Sequence, residues 1–471
     1  MSAAGAAPPA PLDRAEIQRK VLHIAMGGFA VLLAYLTWWQ ALVLALAALL
    51  HNLFVLPLYA RGRIFRGEAR TKGRDLGIVL YPASIAILIL VLHTRLEIVA
   101  AAWGLLAFGD GFATIAGKGI GGPRLPWNRD KTWTGFAAFL FMGFCAAWFL
   151  YGHTLRAKAV PGSDLAVGGG TDAWSFAMIA LAALVAACLE SLALGLDDNV
   201  LVPLASAGFL FALSLVDPAS WSSSRAWILG NLPWALGVNL ALAVAAYAAR
   251  SVSVSGAVAG ALVGGILFTF GGWRAFMMLV VFFVLGTAAT KTGHARKEAL
   301  GIAQERGGRR GAKNAIANCG VGALLAFIAG SSEYESLAFL ALASAFATAA
   351  CDTVSSEIGQ AYGRTTYLIT TLERVKPGTD GAVSLEGTLA GVAAAAVVAL
   401  TAWGLGLTNA AGSAIVVAAA VFGSTLESWM GARWERSKLI DNEAINFANT
   451  LAGALFAVSM SALLPSLGML A

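Results

Sequence analysis

Residues 98–121 read IVAAAWGLLAFGDGFATIAGKGIG, and residues 337–363 read LAFLALASAFATAACDTVSSEIGQAYG. Each begins as an apolar run and passes into a polar cassette of one fixed spacing. Asp110 is followed by six residues, Gly117, three residues and Gly121; Asp352 is followed by six residues, Gly359, three residues and Gly363, 242 positions on (352 less 110). The echo continues downstream. Leu189-Glu190-Ser191 answers Leu426-Glu427-Ser428, Leu196-Asp197-Asp198-Asn199 answers Leu439-Ile440-Asp441-Asn442, and GFLFA at 208–212 answers GALFA at 453–457. Acidic and amide groups beside a bilayer are costly to keep and mark function by default. The pattern reads as two copies of one membrane-embedded site.

Composition supports that setting. Of the 471 residues 58% are hydrophobic and 12% charged, and the mean hydropathy is +0.75; a soluble domain carries about 25% charged residues. Apolar runs of about 17–25 residues, the length that crosses a bilayer as helix, recur along the whole chain. They predict an all-α polytopic membrane protein of about fifteen spans: 21–38, 41–59, 76–93, 98–116, 134–152, 173–190, 200–216, 226–249, 254–270, 274–290, 314–330, 337–352, 386–407, 412–430 and 444–465. Residues 1–13 are Ala/Pro-rich and predict a disordered tail; the apolar stretch 21–60 is too long for the core of a cleaved signal. Cys145, Cys188, Cys319 and Cys351 lack metal-ligand spacing and read as buried free thiols.

The basic residues set the orientation. With the N-terminus in the cytoplasm, cytoplasmic segments hold 27 of the 32 Lys and Arg, including six in 61–74, four in 117–133 and seven in 291–313. Spans one to seven then match spans nine to fifteen, giving membrane domains at 14–222 and 251–471 joined by a linker span at 223–250. That extra span makes the repeats parallel and turns both cassettes toward the cytoplasm, where nucleotides are.

A carboxylate at a helix end followed by Gly-x3-Gly offers a cation ligand and exposed backbone amides for phosphate. Lys118, Arg124, Arg129 and Lys131 crowd the first cassette; Arg309, Arg310 and Lys313 precede the second, and Arg364, Arg374 and Lys376 follow it. These are the parts needed for Mg-assisted phosphoryl or nucleotidyl transfer. Positive-inside anchoring explains any one of these cations equally well. Gly117–Gly122 fits GxGxxG but follows a membrane helix rather than a strand, and no GxxxxGK[ST] occurs, so neither a dinucleotide fold nor a P-loop enzyme is supported. The histidines 23, 51 and 294 stand isolated in the sequence. A secondary transporter would also carry repeats with acidic residues, but near mid-bilayer on broken helices rather than beside basic loops.

At these residues the chain resembles known families. Residues 14–222 resemble the dolichol kinase and phytol kinase family of CTP-dependent lipid kinases, through Arg19-Lys20-x2-His23, Gly109-Asp110-Gly111-x-Ala113-x3-Gly117-x3-Gly121, Asn128-x2-Lys131-Thr132-Trp133-x-Gly135 and Glu190-x6-Asp197-Asp198-Asn199. Residues 250–465 resemble the phytyl-phosphate kinase family, through Ser255-Gly256-Ala257, Gly308-Arg309, Ala317-Asn318, Asp352-Thr353-x2-Ser356-Glu357-Ile358-Gly359, Pro377-Gly378-Thr379-x-Gly381-x2-Ser384 and Glu427-Ser428-x2-Gly431. Three departures stand out: Thr134 and Phe136 where many relatives carry an EGS-type triplet after the Lys-Thr pair, Asp380 where Asn is commoner, and Glu427 where Asp is usual. The KD…PGHGG signature of phosphatidate cytidylyltransferases is missing.

The resemblance implies a bifunctional kinase in the bacterial inner membrane. The first half would phosphorylate a long-chain isoprenoid alcohol such as phytol or geranylgeraniol, and the second the resulting monophosphate, with CTP as donor and Mg2+ as cofactor. A lipid cytidylyltransferase is the alternative. Asp110, Asp198, Asp352 and Glu427 are the implied metal ligands, with Glu190 and Asp441 as further catalytic acids. Nucleotide and phosphate contacts are expected from Gly117, Lys118, Gly121, Arg124, Lys131 and Thr132 in the first half. In the second they are expected from Arg309, Lys313, Asn318, Ser356, Glu357, Gly359, Gly378, Thr379 and Ser384. No nucleic-acid partner is implied.

Overall fold

The computed structural model describes residues 14–60, 76–159, 170, 172–192, 197–216, 218–301, 310–435 and 442–463. The expected tail 1–13 and basic loop 61–74 lie outside the described residues. The chain divides into two compact units, 1–214 and 215–471.

The first unit consists of α1 (Arg14–Gly27, continued as a tighter helix to Ala34), α2 (Trp38–Tyr59), α3 (Leu76–Val91), α4 (Leu96–Gly119), α5 (Trp133–Lys158), α6 (Ala173–Ser191) and α7 (Asp198–Ser214). The second consists of α8 (Pro218–Ala248), α9 (Val254–Lys291), α10 (Ala312–Ser331), α11 (Glu335–Tyr362), α12 (Leu385–Gly404), α13 (Ala410–Met430) and α14 (Asn442–Leu463). Among the described residues twelve helices are long and apolar enough to cross a membrane, and α3 and α7 are shorter apolar helices. The molecule is an all-α polytopic membrane protein, and every expected span falls on one of these helices. The expected pair 254–270 and 274–290 is α9, broken at Gly272, whose φ of 68° and ψ of −177° interrupt the helix. Only glycine adopts that conformation without strain.

Each unit is built round one small-residue helix. In α11 the most apolar stretch is 83% buried and in α4 72%, against 17% in α2. Ala341, Leu342, Ala343, Ala345, Phe346, Ala347, Ala349 and Ala350 are almost fully buried. Short side chains let neighbouring backbones come close, the main source of helix association where lipid is as apolar as the protein. Helix α11 touches α10, α12, α13 and α14; α4 touches α1, α5, α6 and α7.

Three details depart from expectation. Helices α4 and α11 run on to Gly119 and Tyr362, so Asp110 and Asp352 sit inside helices rather than at their ends. No proline interrupts either cassette, and glycine is tolerated in helices packed among neighbours. Residues 366–384 form a small antiparallel sheet in the order β2-β1-β3, with β1 Thr366–Leu368, β2 Arg374–Val375 and β3 Ala382–Ser384; the β-branched run Thr365-Thr366-Tyr367-Leu368-Ile369 suits it. Of the cysteines, Cys319 and Cys351 are buried, but Cys145 and Cys188 are exposed on the first unit.

Candidate functional site

In the first unit Asp110 closes a wide π-type turn, Leu105–Asp110, in the middle of α4; such turns re-aim a side chain and are frequent at functional sites. Close packing holds the turn. A Cβ on Gly143 of α5 would stand 3.3 Å from Gly109 Cα. From α1, Lys20 Nζ donates to Asp110 Oδ2 at 2.6 Å, and His23 Nε2 lies 3.4 Å from the same oxygen. From the loop before α5, Lys131 Nζ donates to Glu190 Oε1 of α6 at 2.5 Å and stands 3.9 Å from Asp198 Oδ2 of α7. Burial alone would lower the Lys131 pKa, but Glu190 and Asp198 outweigh it and hold the ammonium above the ordinary lysine value. That loop is pinned to the end of α6: Trp127 Nε1 donates to Ser191 Oγ at 3.0 Å and Asn128 Nδ2 to the Ser191 carbonyl at 2.9 Å.

Asp110, Glu190 and Asp198 thus meet. One carboxylate oxygen of each lies within 4.8 Å of the other two. Clustered carboxylate oxygens are the donor set of hard divalent cations, so these residues fit Mg2+. Lys20 and Lys131 offset part of the negative charge.

Other expected contacts fall elsewhere. Lys118 pairs with Glu16 at 2.7 Å, away from the carboxylates. Arg124 bridges Thr132 through its backbone, with its side chain half-exposed. Gly117 lies within α4, so its amide is committed to the helix rather than open to phosphate. Its missing side chain serves packing: a Cβ there would stand 3.1 Å from Thr132 Oγ1 and 3.4 Å from Gly135 Cα. Thr132 is the N-cap of α5, its hydroxyl accepting from the Gly135 amide. Gly121 has a φ of 75° in the turn after α4.

The second unit repeats this joint. Gly359 of α11 lies where a Cβ would be 3.0 Å from Ser384 Oγ, and Ser384 caps α12 by accepting from Gly387 N. Beside it is a cavity of about 360 Å³. Of the residues expected to act here, Asn318, Asp352, Ser356, Glu357, Gly359, Gly378, Thr379, Ser384 and Glu427 all line it. The carboxyl groups of Asp352 and Glu427 are in hydrogen-bond contact, with Asp380 close by. The Pro377–Gly381 loop is fixed against α13, because a Cβ on Gly381 would meet Ser428 O and Ala432 N at 2.5 Å. Glu357 faces a buried partner as well: Lys297 Nζ donates to Glu357 Oε2 at 2.5 Å and Thr290 Oγ1 to Oε1 at 3.0 Å. Lys313 is exposed and does not line the cavity. Arg309 and Asp441 lie outside the described residues.

Several site residues escaped sequence reasoning. Lys20 and His23 reach Asp110 from α1, although the Arg19-Lys20-x2-His23 cluster was a visible signal. In the cavity, Asn314 and Asn446 join the expected residues, as does Arg310, which the sequence showed only as one of the cations before the second cassette. Asn318 and Asn446, 3% and 6% exposed, each carry an Oδ1 that meets no hydrogen-bond donor among the described residues. A buried acceptor left unmatched costs about 1–3 kcal/mol, which a ligand in the cavity would relieve.

Known proteins resemble parts of the chain. Residues 237–454 match the family described as "Integral membrane protein DUF92". An uncharacterized membrane protein of Synechocystis is 37% identical over 54% of this chain and 88% of its own length. The chloroplastic Protein VTE6 of Arabidopsis thaliana is 38% identical over 53% of this chain and 75% of its own length. A probable phytol kinase of Triticum aestivum is 28% identical over 43% of this chain and 69% of its own length. No solved structure matches significantly. Through its second unit, the chain belongs to the DUF92 family of integral membrane proteins.

Proposed function

We propose that this protein is a bifunctional lipid kinase that converts a long-chain isoprenoid alcohol to its monophosphate and then to its diphosphate. The observation that carries the reading is the convergence of Asp110, Glu190 and Asp198 from three helices onto one cation-sized position. The second unit offers a parallel arrangement, the Asp352–Glu427 pair lining a polar cavity. The relative named a probable phytol kinase supports the substrate class. Placement of both sites at the cytoplasmic face of a bacterial inner membrane rests on the distribution of Lys and Arg.

In the first unit the lipid hydroxyl attacks the γ-phosphorus of CTP, CDP leaves, and the hydroxyl proton passes to a carboxylate of the cluster. In the second, a phosphate oxygen of the monophosphate attacks the same atom of a second CTP; it is already anionic and needs little base help. Asp110, Glu190 and Asp198 would hold Mg2+ in the first site, and Asp352 and Glu427 in the second, with Asn446 Oδ1 as a neutral oxygen donor. A cation held there would neutralise charge on the transferring phosphoryl group. Lys131 orients the donor phosphates beside Glu190.

Incubating the purified protein in lipid with labelled CTP, Mg2+ and phytol tests the reading. CDP release with successive phytyl mono- and diphosphate supports it. Pyrophosphate release with a cytidylated lipid makes the protein a cytidylyltransferase, and a lack of turnover with any nucleotide overturns the enzyme reading.

A further inference from the structure

The cavity of the second unit carries charge of both signs. Asp352, Glu427 and Asp380 form its acidic part. Arg310 forms a cationic part, and it is held in place from three directions. Its amide donates to Ser251 O at 3.1 Å and its carbonyl accepts from Ser253 N at 3.0 Å. Its guanidinium fills space opened by Gly286, where a Cβ would stand 2.7 Å from Nη2. Its Cζ lies 5.6 Å from the centroid of the Phe282 ring. The chain and its neighbours are shaped round this side chain.

Yet the guanidinium makes no hydrogen bond or ion pair with the described residues. The acid whose charge it feels, Glu357, is already bound to buried Lys297 at 2.5 Å and to Thr290 at 3.0 Å. Burial lowers the Arg310 pKa from its ordinary value, the sign of a charge short of a counter-ion. Removing a charge from water without a partner is costly, and a planar fork of N–H donors matches the oxygens of a phosphate. The position calls for an anion.

Comparison with the first unit says which anion. There Lys20 is paired with Asp110, Lys131 with Glu190, and Lys118 with Glu16. Among the described residues no buried cation is left over. If both units use one nucleotide donor, as the proposed function holds, a buried cation that the described residues of only one of them leave unpaired is assigned to the acceptor. We propose that Arg310 binds the phosphate of an already phosphorylated lipid, so that the second unit selects phosphomonoesters over free alcohols. This rests on the kinase reading of the same site.

The test uses the full chain in lipid nanodiscs with phytyl monophosphate supplied directly. Arg310→Gln should raise the Kd for phytyl monophosphate, measured without nucleotide, and its KM by about 100-fold, the scale of hydrogen bonds to a charged group. The KM for CTP and the rate of phytol phosphorylation by the first unit should stay unchanged, which also shows that the variant folds. Arg310→Lys should recover part of the loss. An unchanged acceptor KM, or a rise confined to CTP, overturns the assignment. In the wild type, decyl phosphate should compete with phytyl monophosphate and decanol should not; equal inhibition by the two overturns it as well. The two readings fail separately. Arg310-dependent binding of the monophosphate without phosphoryl transfer from any nucleotide defeats the kinase and leaves the subsite. Normal transfer by Arg310→Gln defeats the subsite and leaves the kinase.

Discussion

At the scale of single residues, the sites are governed by carboxylates kept out of water with few counter-charges. The Lys20–Asp110 pair is buried, at 2.6 Å. Breaking such a pair from one side leaves an uncompensated charge and costs about 3–5 kcal/mol. Lys20→Met should therefore lower the melting temperature in detergent, whereas Lys20→Met combined with Asp110→Asn should regain most of the loss. A double-mutant cycle by thermal denaturation checks this. For Asp352→Asn we expect phytyl monophosphate to accumulate from phytol while diphosphate formation falls at least about 100-fold, the scale on which charge-stabilising groups act. Mass spectrometry of the lipid products measures it, and diphosphate formed at the normal rate would remove Asp352 from the second step. Asp110 and Asp352 were legible from their spacing alone. Arg310, Asn446, Lys20 and His23 were not assigned, because their neighbours in space are far away in sequence.

At the scale of elements, the cassette glycines serve helix packing. Gly117 meets the Thr132–Gly135 turn and Gly359 the Ser384–Gly387 turn, each at the capped start of the next helix. The S/T-x-x-G pattern at those caps satisfies an amide that the first turn leaves open. Ser384→Ala should cost about 1 kcal/mol of stability, read as a small drop in melting temperature with activity largely kept. Gly391 of α12 is a harsher case, since a Cβ there would lie 2.6 Å from the Cys351 carbonyl and would overlap Ser355 Oγ. Gly391→Leu should push α12 off α11, cost about 1–3 kcal/mol by overpacking, and shift Asp352, the neighbour of Cys351. Second-step activity should fall more than thermal stability alone accounts for, and assays at several temperatures separate the two. Loss of stability without loss of second-step rate would mean that the α11–α12 joint does not position the site. The sequence marked these glycines as special but pointed to phosphate, because spacing says nothing about whether an amide is already used by its own helix.

At the scale of the whole molecule, two units each complete with carboxylates predict two separable reactions. Asp110→Asn should lose activity on phytol yet convert supplied phytyl monophosphate to diphosphate. Reconstituting Asp110→Asn and Asp352→Asn proteins in the same vesicles should restore diphosphate synthesis from phytol, because an amphiphilic monophosphate keeps its tail in lipid and can travel between molecules. Failure of the mixture, with each variant active in its own half-reaction, would mean that the intermediate does not leave the protein that made it.

The sequence by itself determined the membrane-spanning helical class and the shared spacing round Asp110 and Asp352, since length and apolarity of a run decide whether it suits a bilayer. Only the tertiary structure decided what each acid faces. It brought Glu190 and Asp198 to Asp110, set Glu427 on Asp352, carried the aspartates into the helices, took Lys118 and Lys313 out of the sites and put Arg310 in. Those outcomes depend on which helices touch and at which turn, and that is fixed by packing between segments far apart in sequence, such as the 90 positions that separate Lys20 from Asp110, rather than by any local pattern.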